Sequence, residues 1–145
     1  MKHHVITVRS IAQSVGAAGR CINSGQKFGL DIKMFDAITP SDNPVDMAID
    51  LGINVQGFRE IYSRYDNCVA AFMSHFTLWS MCLEQKEEFT IFEHDAIIVN
   101  DIPEYLPYKE VCSLGKPSYG KWNDPKTFGV NPLTSKRYFP GAHAY

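Results

Sequence analysis

Val69, Phe72, Met73, Phe76, Trp79 and Leu83 recur at helical spacing, and a compact apolar run, Phe89–Phe92, begins soon after that stretch ends. A long amphipathic helix feeding directly into a buried strand constrains the fold more than any other feature of the chain. The same alternation occurs upstream. His4-Val-Ile-Thr-Val8 reads as a β-branched strand. Ser10 is placed to cap a helix with Ile11, Val15 and Ala18 on one face, and Gly25 and Gly29 punctuate its end. Asp31–Phe35 alternates polar and apolar residues as a second strand does, and Thr39–Pro44 is loop chemistry. Val45–Leu51 reads as a short helix, and Asp66 as the cap of the long one, which runs from Asn67 to about Lys86. Ala96–Val99 and Glu110–Leu114 read as further strands. Helices between strands argue an α/β sandwich around a mostly parallel sheet.

The 145 residues suffice for one domain, and 45% apolar with 21% charged residues excludes a disordered chain. A net charge of −2 excludes a bulk polyanion binder, and no apolar run reaches the length of a transmembrane helix. The N-terminus lacks a signal-peptide pattern. The four cysteines have neither C-x-x-C nor zinc-finger spacing, so reduced thiols in a cytoplasmic protein are expected. Charge is unevenly placed: residues 1–108 carry 8 basic and 14 acidic side chains, residues 109–145 carry 6 and 2. The last stretch is also rich in proline and aromatic residues. It is either a solvated irregular segment or a surface that meets an anion, with Lys116, Lys121 and Lys126 as the candidate cations.

In open parallel sheets, ligands gather beyond the carboxyl ends of the strands. That rule selects Arg9-Ser10, Asp36–Thr39 and Glu93-His94-Asp95. The last tripeptide sets two carboxylates between two apolar runs, where burial is costly without a partner. Mg²⁺ or Mn²⁺ takes one or two such carboxylates and completes its shell with water and phosphate oxygens. In an extended segment, residues i and i+2 share a face, so Glu93 and Asp95 are expected to converge on one ion, with His94 on the pocket wall. The plainer alternative is a turn whose acids face water. Arg9 could pair with a phosphate or form a surface salt bridge. His3 and His4 read as an exposed end.

Ala71-Phe-Met-Ser-His-Phe-Thr-Leu-Trp79, followed by Phe89-Thr-Ile-Phe-Glu-His-Asp-Ala96, resembles the pattern of glycosyltransferase family 25. That family pairs a Ser-His near the start of a long helix with a strand ending in Glu-Asp-Asp. Val5–Arg9, Phe35-Asp-Ala-Ile38 and Pro140-Gly-Ala-His-Ala-Tyr145 are similar to further family segments. The middle acid is replaced by His94. The chain stops at Tyr145, short of the further helix such domains usually carry, which suggests a compact, phage-type variant or a fragment.

The resemblance implies a GT-A, Rossmann-like three-layer sandwich over residues 1–145, assisted by Mn²⁺ or Mg²⁺. It implies transfer of a sugar from a nucleotide donor, a UDP-sugar foremost, to an acceptor hydroxyl with inversion. By the same token Val8, Arg9, Ser10, Ala37, Ser74, His75, Glu93 and His94 would line the donor site, and Glu93, Asp95 and His143 would hold the metal. No catalytic base is identified; Asp124 is a candidate, with a surface turn as its plainer role. Trp122 and Tyr119 could stack on a sugar or pack on the sheet. The acceptor, whether glycan, lipid-linked or nucleic acid, stays open. So does the alternative of a nucleotide- or sugar-binding or interaction domain without turnover.

Overall fold

The computed structural model describes residues 1–59, 63–106, 110–114 and 144–145. The first strand, β1 (Lys2–Thr7), is central in a three-stranded parallel sheet of order β2-β1-β3, with β2 spanning Ile32–Asp36 and β3 Phe89–Glu93. Register aligns Thr7 with Asp36 and Ile6 with Glu93, so all three carboxyl ends open on one rim. The chain is thus α/β, with a parallel sheet flanked by helices.

The pleat of β1 explains why both faces are covered. Val5 packs with Ala18, Cys21, Ile32 and Phe92 on the face covered by α1 (Ala12–Gln26). Its neighbour Ile6 packs with Leu78 and Ile91 on the opposite face, under α3 (Tyr65–Gln85). Strands buried on both faces read as continuous apolar runs, as β3 does. A third cluster joins α2 (Pro44–Asp50) to the first half of α3 through Ala48, Val55, Val69 and Met73.

Three buried or nearly buried serines fasten helices to strand exits and loops. Ser14 Oγ accepts the Val8 N–H (2.9 Å), Ser74 Oγ accepts the Ile38 N–H (2.9 Å) and Ser24 Oγ accepts the Ile98 N–H (2.9 Å). Each satisfies a backbone donor where the sheet ladder no longer can.

Several sequence expectations change here. The expected strand at Ala96–Val99 is absent: Ala96 and Ile98 pack inward on the α1 face while Ile97 and Val99 are exposed. The period-2 pattern is real, but the Ile98 N–H is taken by a helix serine rather than a neighbouring strand. Glu110–Leu114 is also irregular; its Leu114 N–H donates to the Ala144 carbonyl (2.9 Å). Helix α1 is capped by Ile11 rather than Ser10, and α3 by Arg64 rather than Asp66, neither with a side-chain cap bond. The apolar stripe of α3 is core only in part, because Trp79 is 42% exposed and Leu83 79%. The face that meets the sheet runs instead through Ser74 and Leu78. His3 and His4 are half-buried residues of the central strand, not a free end.

Among the described residues no helix is long and apolar enough to cross a membrane, and all four cysteines are unpaired.

Candidate functional site

The rim is built from three strand exits. After β1, the Val8 carbonyl accepts the Ile11 N–H (3.0 Å), making a turn that exposes Arg9 and Ser10. After β2, the Ala37 N–H still donates to the Thr7 carbonyl (2.9 Å), so the ladder ends only beyond Ala37. Asp36 accepts a hydrogen bond from Arg9 Nε, an ion pair with both side chains more than half exposed. Such a pair contributes little to stability but holds the guanidinium over the β1–β2 exit.

After β3 the chain turns at once: the Ala96 N–H donates to the Glu93 carbonyl (3.0 Å), with His94 and Asp95 at the corner. Expected sharing of a face by Glu93 and Asp95 presupposed an extended chain, and the turn removes that premise. Asp95 is exposed, and its charge is felt at Cys21 on the α1 face. Burial first, and Asp95 second, push that thiol up to about 11, so Cys21 is an inert core residue. The Glu93 carboxylate lies on the other side, 3.9 Å from His75 Nε2.

His75 joins a polar cluster on the α3 face. Its Nδ1 lies 2.5 Å from Tyr145 Oη, with the two rings stacked at 26° and centroids 5.6 Å apart. Trp79 Nε1–H donates to the same oxygen at 3.0 Å. Burial pushes the Tyr145 phenol up to about 12; the Trp79 bond opposes this and the Glu93 charge adds to it. Tyr145 is held against β3 by two backbone bonds with Ile91, Ile91 N–H to the Tyr145 carbonyl (2.7 Å) and the reverse (3.1 Å).

Of the donor-site and metal-ligand residues expected from sequence, Arg9, Ser10, Glu93, His94 and Asp95 follow the strand ends at the rim, with His75 behind Glu93. Val8 and Ala37 belong to the same exits, their N–H groups already committed to Ser14 and Thr7. Ser74 is fully buried and leaves no surface for a ligand; it also donates to the Ala70 carbonyl (3.0 Å). Asp124, His143, Tyr119, Trp122, Lys116, Lys121 and Lys126 lie outside the described residues. Among the described residues no group of three His, Cys, Asp or Glu side chains is placed to hold a metal.

The strand-exit rule selects Asp36 from the sequence, but sequence reasoning missed Trp79 and Tyr145 as members of the site. Asp36 was legible as the last residue of an alternating strand. Trp79 was hidden in the helical stripe, and Tyr145 reaches the site through pairing with β3. An apolar cavity of about 500 Å³ lies elsewhere, walled by Phe89, Leu83, Val111 and the apolar sides of Trp79 and Tyr145, toward the amino end of β3.

Against known families, the model for glycosyltransferase family 25 (LPS biosynthesis protein) matches residues 10–130. The chain belongs to glycosyltransferase family 25. No curated protein matches the chain. The matched region contains Ser10, the β2 exit, α3 and the Glu93–Asp95 turn.

Proposed function

We propose that this family 25 chain moves a sugar from a nucleoside diphosphate donor to an acceptor hydroxyl, with the donor bound across the rim where β1, β2 and β3 end. The observation that carries this reading is the register of the sheet, which aligns the exits bearing Arg9, Asp36 and Glu93 beside one another. The switch point of an open sheet lies between strands whose connections run in opposite directions, here β1 and β3. Asp36 at the end of β2 stands where doubly wound sheets set an acid against ribose hydroxyls. Arg9, already over that exit, suits a phosphate oxygen.

Glu93 and Asp95 leave the β3 turn toward opposite faces, so as they stand they do not chelate one ion together; exposed Asp95 is the hard carboxylate that would face a Mg²⁺- or Mn²⁺-type ion, with the remaining shell left to water and diphosphate oxygens. A divalent ion held there would neutralise charge developing on the departing diphosphate. Around it, the chain orients the leaving group with Arg9 and keeps Glu93 in place through His75. Inversion requires a base at the acceptor oxygen, opposite the leaving group. The donor nucleotide in this reading is UDP and the outcome inversion, both carried over from the family resemblance; the GT-A fold is part of the same proposal.

Asp95→Asn keeps the size of the side chain and removes its charge. It is expected to abolish donor hydrolysis and sugar transfer while leaving the unfolding transition unchanged. Unchanged turnover would end the proposal. A second reading, binding without turnover, is favoured by His94 in place of the middle acid. Calorimetry with UDP and Mn²⁺, beside a donor-hydrolysis assay, separates the two: binding with no product supports the second.

A further inference from the structure

The indole of Trp79 has one polar hydrogen and no acceptor. Its Nε1 lies 3.0 Å from Tyr145 Oη, so the phenol oxygen accepts there. The phenol's own proton is then directed to its other polar neighbour, His75 Nδ1 at 2.5 Å. A ring nitrogen that accepts carries no hydrogen, so neutral His75 holds its proton on Nε2. Nε2 is the atom that faces Glu93 Oε1, at 3.9 Å. That separation exceeds hydrogen-bond range, and about 1 Å of closure converts it into a bond.

The opposite tautomer fails twice. With the hydrogen on Nδ1, the Tyr145 proton would have no acceptor among the described residues. The Nε2 lone pair would also be turned toward a carboxylate. Burial of Tyr145, which keeps the phenol protonated well beyond neutral pH, secures the donor end of the relay.

We propose that His75 is a positioning residue for Glu93, its tautomer fixed by the chain Trp79–Tyr145–His75 so that Nε2–H faces the carboxylate at the β3 exit. The consequence for transfer rests on the function proposed above; the tautomer itself does not. Sequence pattern alone pairs His75 with Ser74, yet Ser74 turns to Ile38 and the partners of His75 are aromatic residues from its own helix and from residue 145.

The test is a long-range ¹H–¹⁵N correlation on the full chain with ¹⁵N-labelled histidine, at about pH 8, where a free imidazole is neutral. His75→Gln assigns the His75 signals among the five histidines. The expected spectrum has a bare Nδ1 and a protonated Nε2. Tyr145→Phe removes the donor and moves both resonances toward those of a free imidazole mixture; Trp79→Phe, at a partly exposed position, moves them the same way by less. A proton on Nδ1 in the unsubstituted chain overturns the proposal. So do unchanged shifts in both folded variants. In a donor-hydrolysis assay, His75→Gln, whose amide reaches the Nε2 place, keeps several-fold more kcat than His75→Asn, and equal losses argue against positioning. If no hydrolysis is seen with any form, the proposed function fails while the tautomer reading still stands or falls on the spectrum.

Discussion

Replacing Ser74 with alanine isolates one strut of the fold. The hydroxyl accepts the Ile38 N–H at 2.9 Å and donates to the Ala70 carbonyl at 3.0 Å, inside a side chain with no exposed surface. The bond to Ala70 is a back-bond within the helix, and its loss costs little. The Ile38 N–H is different: it makes no other hydrogen bond among the described residues, and an orphaned, partly buried donor costs about 1–3 kcal/mol. Alanine returns about 0.5 kcal/mol through helix propensity. The net expectation is a loss of about 0.5–2.5 kcal/mol, equivalent to roughly 2–10 °C in Tm for a domain of this size. Ser80 is the internal control, since among the described residues its hydroxyl makes just the back-bond to the Phe76 carbonyl at 3.0 Å. Urea and thermal unfolding of Ser74→Ala and Ser80→Ala should therefore diverge, the second staying within about 0.5 kcal/mol of the parent. Equal effects in the two variants would refute the strut.

Two glycines of α1 should respond in opposite senses. At Gly19 a Cβ meets nothing within 4 Å, so Gly19→Ala should gain about 0.5–1 kcal/mol in chemical unfolding; at Gly25 it would stand 2.5 Å from Ile32 Cδ1, so Gly25→Ala should lose about 1–3 kcal/mol through overpacking. Acid should weaken the fold through β1. Burial holds the pKa values of His3 and His4 below the ordinary 6.5, so both are neutral in the fold at neutral pH, and His3 Nδ1 and His4 Nε2 have no hydrogen-bond partner among the described residues. The unfolded chain takes up protons first, so their contribution is complete above about pH 6.5 and is lost as pH falls from there toward the lowered folded values. Urea midpoints at pH 7.5 and 5 should differ less in His4→Phe, which keeps the packing on Phe89, than in the parent; an equal difference would remove His4 from the account.

How much of this was legible follows from which interactions are local. The strands β1 and β3 and the helix α3 declare themselves because their apolar spacing is a property of contiguous residues. Helix starts were displaced by one or two residues because Ile11 and Arg64 make no side-chain cap bond, leaving Ser10 and Asp66 as false signals. The segment at 96–99 carries strand alternation, but whether it gains a ladder depends on a neighbour distant in sequence, and Ser24 took that place. At the site, the acids were legible as charges stranded between apolar runs. Their orientation was not, because it is decided by one turn hydrogen bond at Glu93. His75 was legible, whereas its partner Tyr145 is 70 residues away and is delivered by a backbone pairing with Ile91 that no local pattern announces.

The central claim is that the β3 exit binds a nucleoside diphosphate with a divalent cation that Asp95 faces. Calorimetric titration of UDP into the full chain, with Mn²⁺ and with chelator, tests it most directly when repeated on Asp95→Asn. The account predicts saturable binding that requires Mn²⁺ and weakens at least about tenfold in the variant, equivalent to about 1.4 kcal/mol. Binding of equal strength with chelator, or in Asp95→Asn, would contradict it.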